Sequence, residues 1–213
     1  MRHALKELLV ENPVVVPSAA KCFVRLATSP SLRGLHDLSE AQFVDGVPVA
    51  RNAAAARCRG LRPGLPLHPG AVADLEELSR PVEALSFNFS TAFPEGGCRS
   101  RELDLPADVA GGAADGLLLH WELSLDEGLS YSTWPGEENW QDHWVPVFFP
   151  LVPGKGFKGF GGHLRPTAWK GDVVRIKASH GELALGFEVV GVRAGGSAGD
   201  AEAEAAGEGG AGG

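Results

Sequence analysis

Three of the five tryptophans, Trp134, Trp140 and Trp144, fall within eleven residues, in the run Trp-Pro-Gly-Glu-Glu-Asn-Trp-Gln-Asp-His-Trp. Glu137, Glu138, Asp142 and His143 stand between them. Indole faces attract cations through their quadrupole, and carboxylates hold a guanidinium through paired, charge-assisted hydrogen bonds. The combination suits a guanidinium or another organic cation, and it makes Trp134, Glu137, Glu138 and Trp140 candidate cation-binding residues. The surrounding charge points the same way. Residues 102–154 carry ten acids and no Lys or Arg, a bias that would steer basic peptides toward this part of the surface. Two plainer readings stay open: a packed tryptophan-rich loop, and acids that are simply solvated.

A loop of this kind needs a frame, and the sequence around it reads as strands. Leu85, Phe87 and Phe89 alternate with Ser86 and Asn88, the pattern of a half-buried strand. In 116–125, Leu117, Leu119, Trp121, Leu123 and Leu125 share one face, with His120, Glu122 and Ser124 opposite. Asp126-Glu127-Gly128 turns the chain and Leu129 to Thr133 returns, a hairpin. Val145, Val147, Phe149 and Leu151 make the next strand. Val173 to Ala178 and Leu183 to Val190 form a further pair through a turn at His180-Gly181. Five or more short strands separated by turns predict a mainly β fold, an antiparallel β-barrel or jelly-roll-like sandwich.

The flanks differ in character. Residues 2–10 have helical spacing, with Ala4, Leu5, Leu8 and Leu9 on one face, and Asn12-Pro13 stops the helix. Val14-Val15-Val16 reads as a buried β-branched strand, and Pro17-Ser18 separates it from the apolar stretch Lys21 to Ala27. Residues 1–28 therefore look like the edge of an incomplete α/β layer. The β domain covers 29–192, with an arm-like insertion at about 31–80 of weak periodicity, a helical turn over Ala53 to Ala56 and a short helix over Ala71 to Leu78. Residues 193–213 are mostly Gly, Ala and Glu and read as a disordered tail.

Composition narrows the function further. The 213 residues are 44% hydrophobic and carry a formal net charge of -8, half of it from four acids in the tail. No apolar run reaches the roughly 18 residues that span a bilayer, and no Lys/Arg-rich run tracks phosphates. Neither a membrane nor direct nucleic-acid binding is expected. Cys22, Cys58 and Cys98 lack paired spacing, which fits reduced thiols in an intracellular protein, cytoplasmic or nuclear. His120, Glu122, His143, His163 and His180 are scattered over the strands. Because Leu119, Trp121 and Leu123 claim the buried face, His120 and Glu122 are expected to point outward, and no metal is expected.

Several of these segments together resemble a known family. Leu117-Leu118-Leu119-His120-Trp121-Glu122-Leu123, then Leu129 to Thr133, then Gln141-Asp142-His143-Trp144 leading into Val147-Phe148-Phe149, are similar to the C-terminal β-barrel of protein arginine methyltransferases. Upstream, Ala4 to Leu9 and Val14-Val15-Val16-Pro17-Ser18-Ala19-Ala20 resemble the family's helix and Val-Pro-Ser strand. The likeness runs from about residue 2 to 190 and is weak over 28–80, where the family carries its dimerisation arm. The Asp-His-Trp form looks most like the tandem-module, monomethylating branch. The resemblance implies arginine-rich protein substrates, S-adenosyl-L-methionine as methyl donor and pairing as a homodimer. It also implies that Asp142, His143 and Trp144 position the arginine at the mouth of its pocket, with Asp142 in place of the family's usual Thr. No Gly-rich loop follows a strand near Met1, and the family's paired-glutamate loop would precede Met1. The chain alone is therefore expected to bind no donor and to need a donor-binding half or second module. The alternative is a non-catalytic β module that captures arginine-rich partners.

Overall fold

In a computed structural model of the chain, the described residues are 13–36, 43–44, 47–48, 64–90, 99–108, 112–126, 128–140, 143–151, 167–181 and 185–195. Strand β1 (Ala19–Thr28) leads into the short helix α1 (Pro30–His36). Then come β2 (Phe43–Val44), β3 (Val47–Pro48), β4 (Leu65–Pro66), β5 (Glu76–Glu77), β6 (Val82–Asn88), β7 (Arg99–Pro106) and β8 (Gly112–Ala113). The chain continues through β9 (Gly116–Asp126), β10 (Leu129–Ser132), β11 (Val147–Pro150), β12 (Thr167–Ala168), β13 (Val173–His180) and β14 (Leu185–Arg193).

Seven strands form the larger sheet, in the order β4-β11-β9-β1-β5 with β10 added to β9 and β6 to β1; the smaller sheet is β14-β13-β7. Among the described residues, every pairing between these strands is antiparallel. Side chains alternate between faces of a strand, and that alternation builds the core. From the larger sheet Cys22, Val24, Leu26, Leu85, Leu117 and Leu119 pack against Leu103, Leu105, Val174, Ile176 and Ala178 of the smaller one. Each such fully buried Leu or Ile contributes about 1.5–3 kcal/mol through removal from water. The mainly β, antiparallel architecture stands as the sequence predicts. Among the described residues, however, the two sheets share no hydrogen-bonded strand, so they sandwich one core and do not close into a barrel.

Several expectations need correction. Val14 and Val16 are 91% and 61% exposed, and this β-branched run forms no strand: it lies between two prolines, and pairing begins only where the Ser18 amide donates to Ser124 O. The stretch after it, Ala19–Thr28, is an inner strand of the larger sheet, matched to β9 from Ala19↔Ser124 to Ala27↔Gly116. Over 71–78 there is no helix. A 3-10 turn at Pro69–Ala71 precedes β5, because the Asp74 carboxylate accepts hydrogen bonds from the Ser31 amide and the Ser29 and Ser31 hydroxyls while Glu76 and Glu77 pair with β1. Strand β7 had no sequence signal beyond the alternation of Leu103 and Leu105, since its first half is charged. The helix at 2–10, the turn at Ala53 to Ala56 and the tail from 196 onward lie outside the described residues.

Candidate functional site

Strand β9 carries the site because it is covered on both faces. Leu117 and Leu119 face the shared core. On the other side Leu118 packs with Phe148, Leu32 and Ala27, with Trp134 against the edge of that group. His120 lies on this second side and is 1% exposed, which overturns the outward position expected from the alternation. Leu119 and Trp121 do face the core; what the pattern could not reveal is that the opposite face is roofed as well.

The register sets Phe23 of β1 across from His120. Their rings stack with centroids 5.1 Å apart at 16°, and the Trp134 ring lies tilted against the imidazole with centroids 5.2 Å apart. Burial, aided by the Arg25 guanidinium, pushes the His120 pKa down to about 4, so the ring is neutral at neutral pH. Its Nδ1 is buried with no hydrogen-bond partner, and Nε2 is 4.0 Å from Glu137 Oε1. Glu122, two residues along the same face, has its pKa raised by burial and then by Glu137, against the pull of Lys21. One ligand atom each from His120, Glu122 and Glu137 lies within 4.8 Å of the others.

Arg25 completes this side. It is 6% exposed, its Nη1 donates to Glu77 Oε2 at 2.6 Å, and its guanidinium carbon sits 3.4 Å from the centroid of the Trp134 ring. The β1–β5 pairing places Glu77 there. The guanidinium over the Trp134 ring thus belongs to the chain itself. Arg25, Phe23 and Glu77 were not singled out from the sequence; one basic residue inside the apolar run Cys22 to Ala27 was the available signal.

The loop after β10 is held by its own hydrogen bonds. The Thr133 amide donates to Trp121 O, and the Trp121 amide donates to Thr133 Oγ1. The Trp134 amide donates to Ser132 Oγ, and Asn139 Nδ2 donates to Ser130 Oγ at 2.7 Å. Gly136, at φ +92°, makes the turn that a side chain would strain. A parallel bridge between Ser132 and Trp140 closes the loop back on β10.

The three clustered tryptophans therefore do not meet in one cage. Trp134 lies on the His120 side. Trp144 packs edge-on against Trp121 at 5.3 Å, and Trp121 also meets Tyr131 at 5.3 Å. Adjacent residues on a strand point to opposite faces, so Trp134 and Trp144 serve opposite sides of the sheet. Trp140 meets the His68 ring edge-on at 6.0 Å, with its Nε1 buried and unpartnered. Glu138 and His143 are exposed, and Trp144 keeps 57% of its surface exposed. Asp142 lies outside the described residues.

No protein-family model matches the chain. Curated proteins do match. Protein arginine N-methyltransferase 1.6 of Arabidopsis thaliana is 30% identical over 195 residues, covering 84% of this chain and 25% of the relative. Protein arginine N-methyltransferase 7 of Drosophila ananassae is 24% identical over 175 residues, covering 69% and 25%. The chain spans about a quarter of the length of these relatives. A crystal structure of PRMT6 aligns with a TM-score of 0.47 at 14% identity, over 81% of this chain and 54% of that one.

Proposed function

By sequence the chain belongs to the protein arginine N-methyltransferase family, and from that premise we propose that it is the C-terminal, substrate-docking β part of such an enzyme. The observation that carries the reading is the 30% identity to the Arabidopsis relative over 84% of this chain. In this reading Asp142, His143 and Trp144 receive the substrate arginine. The exposed indole of Trp144 offers its face to a guanidinium, and the acids of 102–154 concentrate arginine-rich segments nearby.

Methyl transfer needs a guanidinium nitrogen aimed in line at a sulfonium methyl group. S-adenosyl-L-methionine supplies that methyl in the complete enzyme. What supports placing the donor elsewhere is that the paired strands of the described residues are all antiparallel, whereas a parallel strand leading through a Gly-rich turn into a helix is the arrangement that cradles such a nucleotide. We therefore assign no transfer step to these side chains. In the proposal they bind and orient arginine, while the donor is held by a second half, on the same polypeptide or on a partner.

Fluorescence anisotropy with a labelled Gly/Arg-rich peptide tests this. Saturable binding is expected, weakened at least about tenfold by His143→Ala plus Trp144→Ala, on the scale of a lost cation–π contact with its neighbours. Equal affinity for the same peptide with every Arg changed to Lys would refute docking of arginine as such. Calorimetric titration should show no S-adenosyl-L-methionine binding by the chain alone; micromolar binding would move the donor site into this chain.

A further inference from the structure

We propose that His120, Glu122 and Glu137 bind one divalent transition-metal cation, with Zn2+ the natural probe, and that the ion clips the tryptophan loop to strand β9. The site lies on the opposite side of the sheet from Trp144 and is separate from the arginine docking proposed above.

Geometry comes first. His120 and Glu122 are two residues apart on one strand and project from the same face. Glu137 reaches them from the loop, whose backbone is fixed by the Ser132–Trp140 bridge and the Trp140 amide's bond to Glu137 O. The three ligand atoms lie within 4.8 Å of one another. Around an ion with ligands at about 2.0–2.2 Å, tetrahedral neighbours stand roughly 3.5 Å apart, so a contraction on the order of 1 Å closes the set. Both glutamates are only half-buried, which leaves them free to make it and leaves room for water as a fourth ligand.

The chemistry agrees. The 1%-exposed imidazole has its Nδ1 without a partner, and its Nε2 stands 4.0 Å from Glu137 Oε1. Buried polar atoms are nearly always partnered, and an ion at this cluster is a partner that an imidazole nitrogen takes. Charge balance points the same way. On this face Lys21 pairs with Glu83 and Arg25 with Glu77, leaving the charges of Glu122 and Glu137 unbalanced, an excess of two that a dication cancels. One nitrogen and two oxygens suit a borderline ion such as Zn2+ better than Mg2+ or Ca2+, which prefer all-oxygen shells.

Titration of chelator-stripped protein with Zn2+ by calorimetry is expected to give one equivalent per chain. Glu137→Gln and Glu122→Gln should each raise the Kd at least tenfold, while Glu138→Gln, one residue away and exposed, should leave it unchanged. Co2+ loading should give visible d–d bands that Glu137→Gln weakens. His120→Ala removes a fully buried ring and risks the fold, so the half-buried loop residue Glu137 provides the decisive variant, with near-UV circular dichroism as the check that it folds. The proposal is overturned by absence of stoichiometric binding, or by binding that both glutamate variants leave intact.

Discussion

Trp134 and Trp144 stand ten residues apart at the two ends of one loop, yet they hold opposite positions in the molecule. Trp134 has its cation: the Arg25 guanidinium lies over its ring, tied at its far end to Glu77. Trp144 rests its edge on Trp121 and turns more than half its surface to solvent. Side chains of one type in one acidic loop have thus separated into an internal clamp and an open face. The lesson concerns desolvation. A guanidinium held by a carboxylate and an indole can be buried without an orphaned charge, and the inner tryptophan is committed to that task. In the proposed function, capture of an outside arginine falls to the outer one.

The contrast breaks most readily at the level of stability. Trp134→Ala should cost about 3–5 kcal/mol, since it uncovers His120 and strips the stack from Arg25, whereas Trp144→Ala should stay within about 1 kcal/mol. Urea unfolding of the two variants measures the gap, and comparable losses would erase the distinction. Acid sharpens it next. Unfolded His120 takes a proton near pH 6.5, while in the fold it does so only at about 4. Between those values the unfolded state binds the extra proton, so stability is full above pH 6.5 and falls as the pH drops toward 4. The loss is at most about 3 kcal/mol. His120→Phe, measured in chelator, should flatten this part of the profile. The smallest effect belongs to Arg25→Lys. It keeps the charge but loses the planar fork and the stacking on Trp134, an expected loss of about 1–2 kcal/mol in thermal or urea unfolding. A neutral result would reduce the inner clamp to simple charge pairing.

Much of the frame could be read from residue order. The alternation through 116–125 gives β9, the Asp-Glu-Gly turn gives its hairpin, and the Val173 segment gives β13, all because a strand with one face in the core writes period two into the chain. The same rule misled where a second layer lay over the polar-looking face. His120 looks solvated in one dimension and becomes buried only when Phe23, ninety-seven residues upstream, and Trp134 close around it. Val14 to Val16 fails for the converse reason: β-branched residues favour a strand, but a strand needs a neighbour. At the site, the tryptophans of the loop allow a cation–π contact, and Trp134 makes one with Arg25 of the same chain. Its partner was invisible because Arg25 and Glu77 reach it through sheet pairing, a long-range matter that local spacing does not encode.

The position of β1 also bears on how the molecule assembles. Its first nine residues match β9 one for one across separations of 89 to 105 residues, so the segment synthesised early must wait for a mate made much later. Contacts of such long range slow folding far more than they weaken the finished state, because the loop entropy of closure grows only logarithmically with length. Until β9 emerges, Val24 and Leu26 lack the cover that later buries them. The nascent chain is then most prone to aggregate, and a chaperone has most to shield.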